Sequence, residues 1–449
     1  MDDNEIDLTG LAHMVKTKKV SPVELVRHYL EVIDKKDGEI KAWVTVLEDQ
    51  AIEQAKSIEQ KIMAGEDAGS LAGVPFSVKD IFFTKGIKTT CGSKVLENYV
   101  PNDDAAAVSK LKSAGGILIG KNTTAEFAFS HHTETRNPYN LAHSPGGSSS
   151  GSAAAVASGM TPFALGSQTA GSLIRPASYC GLVTMKPTLG RLSRHGVVPV
   201  SWTLDHIGAI TKTVRDQGLI LNILSGYDAN DPISIRADKI QSHVTRLNSL
   251  KGFKIGIPKQ YFFENIEEDV RICVEQSVQN LIQLGAVPVD IDLPESFESA
   301  VAAHAVIAHS EASSYHLDMF RTKKDLYGEY LRNRLAVGMS IPQTAYLKAL
   351  RIREIYKQQM QEIFNAIDVL VTPSAPDAAP EGYGTGDPRL NAPFTLAGIP
   401  SLTVPCGFSK EGLPIGCQMA GKTLSEETLL SVALLYEQTY PLFRKEWAM

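Results

Sequence analysis

Short, mainly apolar runs recurring between helix-length segments constrain this chain more than any other feature. Residues 71–78 (LAGVPFSV), 116–120 (GILIG), 163–166 (FALG), 253–258 (FKIGIP), 287–291 (VPVDI), 367–372 (IDVLVT) and 402–405 (LTVP) each have strand length. Most lack the apolar–polar alternation of a strand with one wet face, so both faces need cover. Helical periodicity fills the intervals at 105–114, 153–159, 214–225, 267–284 and 426–438, and most of 298–360. Residues 121–129 fit a helix or an irregular segment. The pattern predicts an α/β protein: a large mixed, mostly parallel central sheet covered by helices on both faces.

The chain opens with helices. Ser21-Pro22-Val23-Glu24 reads as a helix start, with an N-cap serine, proline at the first helical position and glutamate three residues after the cap. Leu25, Tyr29 and Ile33 then recur on one face, and 49–63 is a second amphipathic run. No repeat or low-complexity linker divides the 449 residues. One domain over 1–449 is therefore expected, with N-terminal helices in 1–65, a core in 70–215, and the rest of the sheet with further helices in 216–449.

Several function classes are disfavoured. A net charge of −6 with scattered lysines and arginines offers no nucleic-acid surface. The densest basic stretch, residues 351–357 (RIREIYK), reads as the solvated face of a helix. The five cysteines, Cys91, Cys180, Cys273, Cys406 and Cys417, are widely spaced without a CxxC pair, which argues for buried free thiols over zinc or disulfides. Residues 1–7 (MDDNEID) are acidic and unlike a signal peptide. No apolar stretch reaches the roughly 18 residues of a membrane span. A reducing cytoplasm is the expected location.

The Gly/Ser block 146–151 (GGSSSG) precedes a run of small residues, AAAVA at 153–157. Such a run makes a closely packed helix, and serines at its N-terminus lie near free backbone N–H groups. The block also contains G-x-S-x-G, which would make Ser149 a nucleophile-elbow serine. The elbow needs a strand before it and a late histidine. Here a polar loop precedes, and the last histidine is His316. Residues 115–121 (GGILIGK) imitate a phosphate loop, but Asn122 replaces the magnesium-binding hydroxyl and the interior is strand-like. His131 and His132 are adjacent, so their side chains diverge, and no partner at ligand spacing accompanies them. No metal site is expected.

The stretch 146–187 (GGSSSGSAAAVASGMTPFALGSQTAGSLIRPASYCGLVTMKP) resembles the amidase signature. Residues 73–80 (GVPFSVKD), 121–129, 187–198 (PTLGRLSRHGVV), 394–408 (FTLAGIPSLTVPCGF) and 412–421 are similar to further blocks of that family, in the same order. The resemblance is strong over about 70–215 and weaker beyond. It implies the amidase signature fold and a Ser–cis-Ser–Lys triad of Ser172 (nucleophile), Ser148 (relay) and Lys79 (base). It also implies an oxyanion hole of backbone N–H groups from Thr169, Ala170, Gly171 and Ser172. A lysine serves as base only when neutral, and burial after an apolar strand lowers its pKa. Asp80 would oppose that shift unless it points to the other face, as strand neighbours do.

The resemblance implies hydrolysis of a carbon–nitrogen amide bond through an acyl-enzyme on Ser172, without cofactor or metal. By position, Ala128, Phe129, Ser130 and Phe394 are expected to line the acyl pocket, which suits a small aryl or aliphatic amide, or a carbamate. The expected partner is a small-molecule amide, not nucleic acid or membrane, with a homodimer left open. The alternative is an amidotransferase A-type subunit supplying ammonia to a partner in tRNA-dependent amidation. The chain departs from the D-x-G-G-S-I-R pattern typical of such subunits: Gln168 replaces the Asp, Ala170 a Gly, and Ile174 the Arg, with Arg175 one place later.

Overall fold

The computed structural model describes residues 7–241 and 246–441. The acidic N-terminal stretch therefore falls, except for Asp7, outside the described residues. Eleven strands form one sheet: β1 (Trp43–Val46), β2 (Pro75–Lys79), β3 (Ile117–Asn122), β4 (Ala164–Gln168), β5 (Val183–Lys186), β6 (His206–Thr211), β7 (Lys254–Ile257), β8 (Val287–Asp290), β9 (Val369–Pro373), β10 (Ser401–Phe408) and β11 (Pro414–Ala420). Their spatial order is β1-β3-β2-β4-β6-β5-β10-β11-β9-β7-β8. Every residue of β2 to β6, β9 and β11 is buried, whichever face it points to, whereas the edge strands β1 and β8 alternate or face solvent.

The large mixed α/β sheet expected from sequence is present, but parallel pairing is not its majority. Four ladders are parallel, β2–β3, β2–β4, β7–β8 and β7–β9. Six are antiparallel. The strands without a sequence signal account for the difference. β11 contains Pro414 and Gly416 and returns from β10 through a short turn, which forces an antiparallel hairpin. β5 and β6 pair antiparallel and join the hairpin to β4.

Helices fall close to their predicted positions. Pro22–Ile40 starts with the full capping box: the Ser21 hydroxyl accepts from Val23 N, and Ser21 N donates to Glu24 at 3.2 Å. The 351–357 stretch differs from expectation. It lies in the helix Gln343–Ile363, but Arg353 is buried and donates from Nε to Leu396 O at 3.0 Å. Charge density alone did not show that one of these cations faces inward. Residues 121–129 are the end of β3 and a single 3-10 turn, Glu126–Ala128, with Phe127 and Ala128 in left-handed backbone. No helix of the described residues is long and apolar enough to cross a membrane.

Two connections position the site. β2 lies between its parallel neighbours β3 and β4, so the chain leaves β2 toward one side and passes from β3 to the other. Such a reversal opens a crevice at the carboxyl ends of the strands. Lys79 is the last residue of β2, and Gln168 the last of β4. The helix Ser150–Ala157 presses into this corner. A side chain at Gly151 would sit 2.5 Å from both Ala42 O and Thr123 N, so the small-residue run is what lets the helix approach the end of β3.

Candidate active site

Lys79 is fully buried and meets three serine hydroxyls: Ser148 Oγ at 2.6 Å, Ser167 Oγ at 2.9 Å and Ser149 Oγ at 3.2 Å. Burial lowers its ammonium pKa to about 7, against the opposing field of Asp205. Asp80 does not face it. Asp80 points across to Lys121, with which it forms a buried ion pair at 2.8 Å, and its other oxygen accepts from Thr90 N and Oγ1. A second lysine, Lys186, is equally buried and also lowered to about 7, chiefly by burial. It donates to the backbone oxygens of Ile399 and Pro187. It also lies 3.4 Å from His206 Nε2. Burial alone therefore does not distinguish a base; Lys79 differs from Lys186 in facing three serine hydroxyls.

Ser148 follows a cis Gly147–Ser148 peptide bond. The neighbouring Ser149 is engaged on all sides. Its Oγ contacts Lys79, donates to Ser167 O and accepts from Ser167 N, both at 3.2 Å, and no strand leads into it. The elbow geometry is absent. Ser167 carries no local signal that singles it out; it joins the lysine because β4 runs beside β2.

Ser172 lies in the turn between β4 and the helix Ile174–Tyr179 and is 9% exposed. Among the described residues, the backbone N–H groups of Ala170, Gly171 and Ser172 have no protein acceptor. The turn is fixed from several sides. Gln168 Oε1 accepts from Leu173 N and Ile174 N, at 2.9 and 3.0 Å, while its Nε2 donates to Thr395 Oγ1. Thr395 Oγ1 is 2.8 Å from Ala170 O. His304, lowered to about 4 by burial and hence neutral, bonds Thr169 O through Nε2 at 2.9 Å. The Thr169 hydroxyl donates to Asp205. The Gln168 amide thus satisfies the groups around it without a charge.

The four residues expected in the acyl pocket separate. Phe394 is 1% exposed and stacked on Phe262 at 5.3 Å, which places it in the core; its neighbour Thr395 is the one that touches the site. Phe129 carries the Arg334 guanidinium 4.0 Å above its ring centre and meets His309 edge-on, so its face is occupied by a cation. Ala128 is left-handed and packs on the core. Ser130 N donates to Glu126 O at 3.2 Å. Arg334 and His309 were not anticipated; they stand on helices far along the chain and reach Phe129 only through the fold. His131 contacts Tyr330 and His132 contacts Tyr383, so the two imidazoles diverge. Among the described residues no group of three or more His, Cys, Asp or Glu is placed to hold a metal. All five cysteines are free. The 115–121 run is buried strand β3.

The amidase family model matches residues 24–430. The A-type subunit of the glutamyl-tRNA(Gln) amidotransferase from Sulfurihydrogenibium sp. is 38% identical, with 96% of both chains covered. A solved chain from a vestigial protein complex, tied to the evolutionary origins of an s-triazine catabolic enzyme, superposes with a TM-score of 0.91. It is 31% identical and covers 97% of this chain and 99% of its own. The peptide amidase of Stenotrophomonas maltophilia gives a TM-score of 0.87 at 27% identity, with 98% of both chains covered. With its sheet, its serine-lined buried lysine and a family match over most of its length, this chain belongs to the amidase signature family.

Proposed function

We propose that the protein hydrolyses an amide C–N bond through an acyl-enzyme on Ser172, with Ser148 as relay and Lys79 as base. The observation that carries this is the Lys79–Ser148 contact of 2.6 Å at a lysine whose pKa lies near 7. Neutral Lys79 accepts the Ser148 proton as Ser148 takes that of Ser172. Ser172 Oγ then bonds to the substrate carbonyl carbon. The free N–H groups of the 169–172 turn receive the oxyanion, where one donor is worth on the order of 100-fold in rate. Collapse breaks the C–N bond, and the departing nitrogen takes its proton back through Ser148. Water then attacks the acyl-Ser172 ester by the same relay and releases the acid. The chemistry uses no cofactor or metal.

Ser172→Ala should lower amide turnover by at least about 1000-fold, as expected for loss of a nucleophile, and abolish labelling by a fluorophosphonate. Retained turnover in Ser172→Ala, with loss in Ser149→Ala, would overturn the assignment.

The identity of the amide is open between a small free amide or carbamate and the glutamine-derived ammonia of an amidotransferase A-type subunit. The 38% identity over nearly the full length of such a subunit favours the second reading; the uncharged Gln168 and Ile174 stand against it. Glutamine hydrolysis that appears only when a tRNA-binding partner is bound would select the subunit role. Turnover of small amides by the isolated chain, with no glutamine turnover in either state, would select the first.

A further inference from the structure

The pairing of β4 with β6 brings a carboxylate to the edge of the proton relay. Ser167 stands opposite Ile207 and Gln168 opposite His206, so Asp205 stands opposite Thr169, one step beyond the ladder. Residues two apart on a strand share a face. Ser167, which accepts from Lys79, shares its face with Thr169, and both line one cavity with Asp205. The carboxylate is held by neutral donors. Oδ1 accepts from Thr169 Oγ1 at 2.5 Å, and Oδ2 accepts from Val200 N at 2.8 Å and Ser201 N at 3.0 Å. Among the described residues no cation lies within ion-pair distance of it. Arg194, whose charge reaches it, is taken up by Asp231 at 3.3 Å. The cavity, about 230 Å³, has room for several waters at roughly 30 Å³ each, which helps the carboxylate stay ionised.

The field of Asp205 acts on Lys79. The other groups facing Lys79 carry no charge: the hydroxyls of Ser148, Ser149 and Ser167, and the Cys91 thiol, whose pKa burial pushes well above its usual value. Asp80 is turned to Lys121. Burial keeps His206 and His304, beside Asp205 and Thr169, neutral. When Ser172 attacks, its proton passes through Ser148 to Lys79. A positive charge thus appears on Lys79 as a negative one appears on the substrate oxygen. A fixed carboxylate beside a base stabilises the cation that the base becomes, as the aspartate of a Ser-His-Asp triad does.

We infer that Asp205 is a positioning residue for the base: its carboxylate, anchored on Thr169, is the counter-charge of the Lys79 ammonium that forms as Ser172 attacks. This rests on the amide-hydrolase reading and adds to it a group outside the three reacting side chains. Thr169 ties that counter-charge to the start of the turn that receives the oxyanion, so both charges of the attack are met from one segment.

The rate of fluorophosphonate labelling, measured against pH, reads the activation of Ser172 without the natural amide. In the wild type it should rise with pH and level off above about 7. Asp205→Asn removes the charge while its amide can keep all three hydrogen bonds. Lys79 then becomes a weaker base that is neutral at lower pH. The limb should move down by about half a pH unit or more, and the plateau should fall by about threefold or more. Asp205→Glu should recover part of both changes. A purely structural Asp205 would lower the rate by one factor at every pH. An unmoved limb, a limb moved upward or an unchanged plateau overturns the inference and leaves the amide-hydrolase reading standing. Should Asp205→Asn fail to fold, Thr169→Val decides. It removes the hydroxyl that shares the carboxylate charge, so the field at Lys79 strengthens and the limb should move to higher pH; an unmoved or lowered limb overturns the inference. A wild type that is not labelled at any pH overturns the amide-hydrolase reading and this inference with it.

Discussion

At the residue scale, Lys79 as the proposed base should set the pH behaviour. Burial disfavours its ammonium form and brings the pKa to about 7, so the base is absent at low pH and present above neutrality. The kcat/KM of a neutral amide should therefore rise tenfold per pH unit below about 7 and level off above it. A profile flat from pH 5 to 8 would exclude Lys79 as the titrating base. Ser167 offers a finer check. Its hydroxyl accepts from Lys79 Nζ at 2.9 Å and so favours the charged form. Ser167→Ala should move the limb to lower pH; movement upward would mean that the hydroxyl donates to the neutral amine instead. Ser148, Ser172 and Lys79 were singled out by the motifs around them, and the structure brings Lys79 to Ser148. Ser167, Gln168 and Thr395 were not, because their roles depend on which strand lies beside β2 and on a helix more than two hundred residues away.

At the element scale, the ends of β2 and β3 are fastened by Lys121 and Asp80, both fully buried and 2.8 Å apart. Val78 and Lys121 are register partners, so Asp80, two residues past Val78, shares the face of Lys121 and leaves Lys79 on the other. Lys121→Met would leave Asp80 charged and unpaired in the core, at a cost of about 3–5 kcal/mol in urea unfolding. The stray carboxylate would also favour the Lys79 ammonium, moving the pH limb upward. Adding Asp80→Asn should recover much of both changes. A single variant of unchanged stability would mean that water, not Lys121, satisfies Asp80. The elements themselves were legible in proportion to their local signal. β2, β3, β4 and β9 carry dense apolar runs and appear where expected. β6 (HIGAIT) and β11 (PIGCQMA) mix glycine, proline and polar residues, and become strands because their neighbours bury them on both faces.

At the scale of the whole molecule, those faint strands decide how the chain folds. The parallel groups β3-β2-β4 and β9-β7-β8 come from opposite halves of the sequence and do not touch as ladders. The antiparallel run β6-β5-β10-β11 joins them, with β5 from the first half paired to β10 from the second. Thr395, which holds the Ser172 turn through Gln168 and Ala170, also comes from the second half. The first half thus carries the proposed reacting groups, and the second completes both the sheet and the turn. Cutting the ladder between β5 and β10 would expose two buried strand edges, a heavy cost for unpaired backbone groups. Unfolding is therefore expected to be one cooperative transition in spite of the 449 residues. With Trp447→Phe, tryptophan fluorescence reports Trp43 and Trp202, both in the first half, while far-UV circular dichroism reports all the helices. The two urea curves should coincide, and Ser172 labelling should disappear at the same midpoint. A fluorescence transition separated from the dichroism transition would show that the halves fold independently and that the β5–β10 ladder is too weak to couple them.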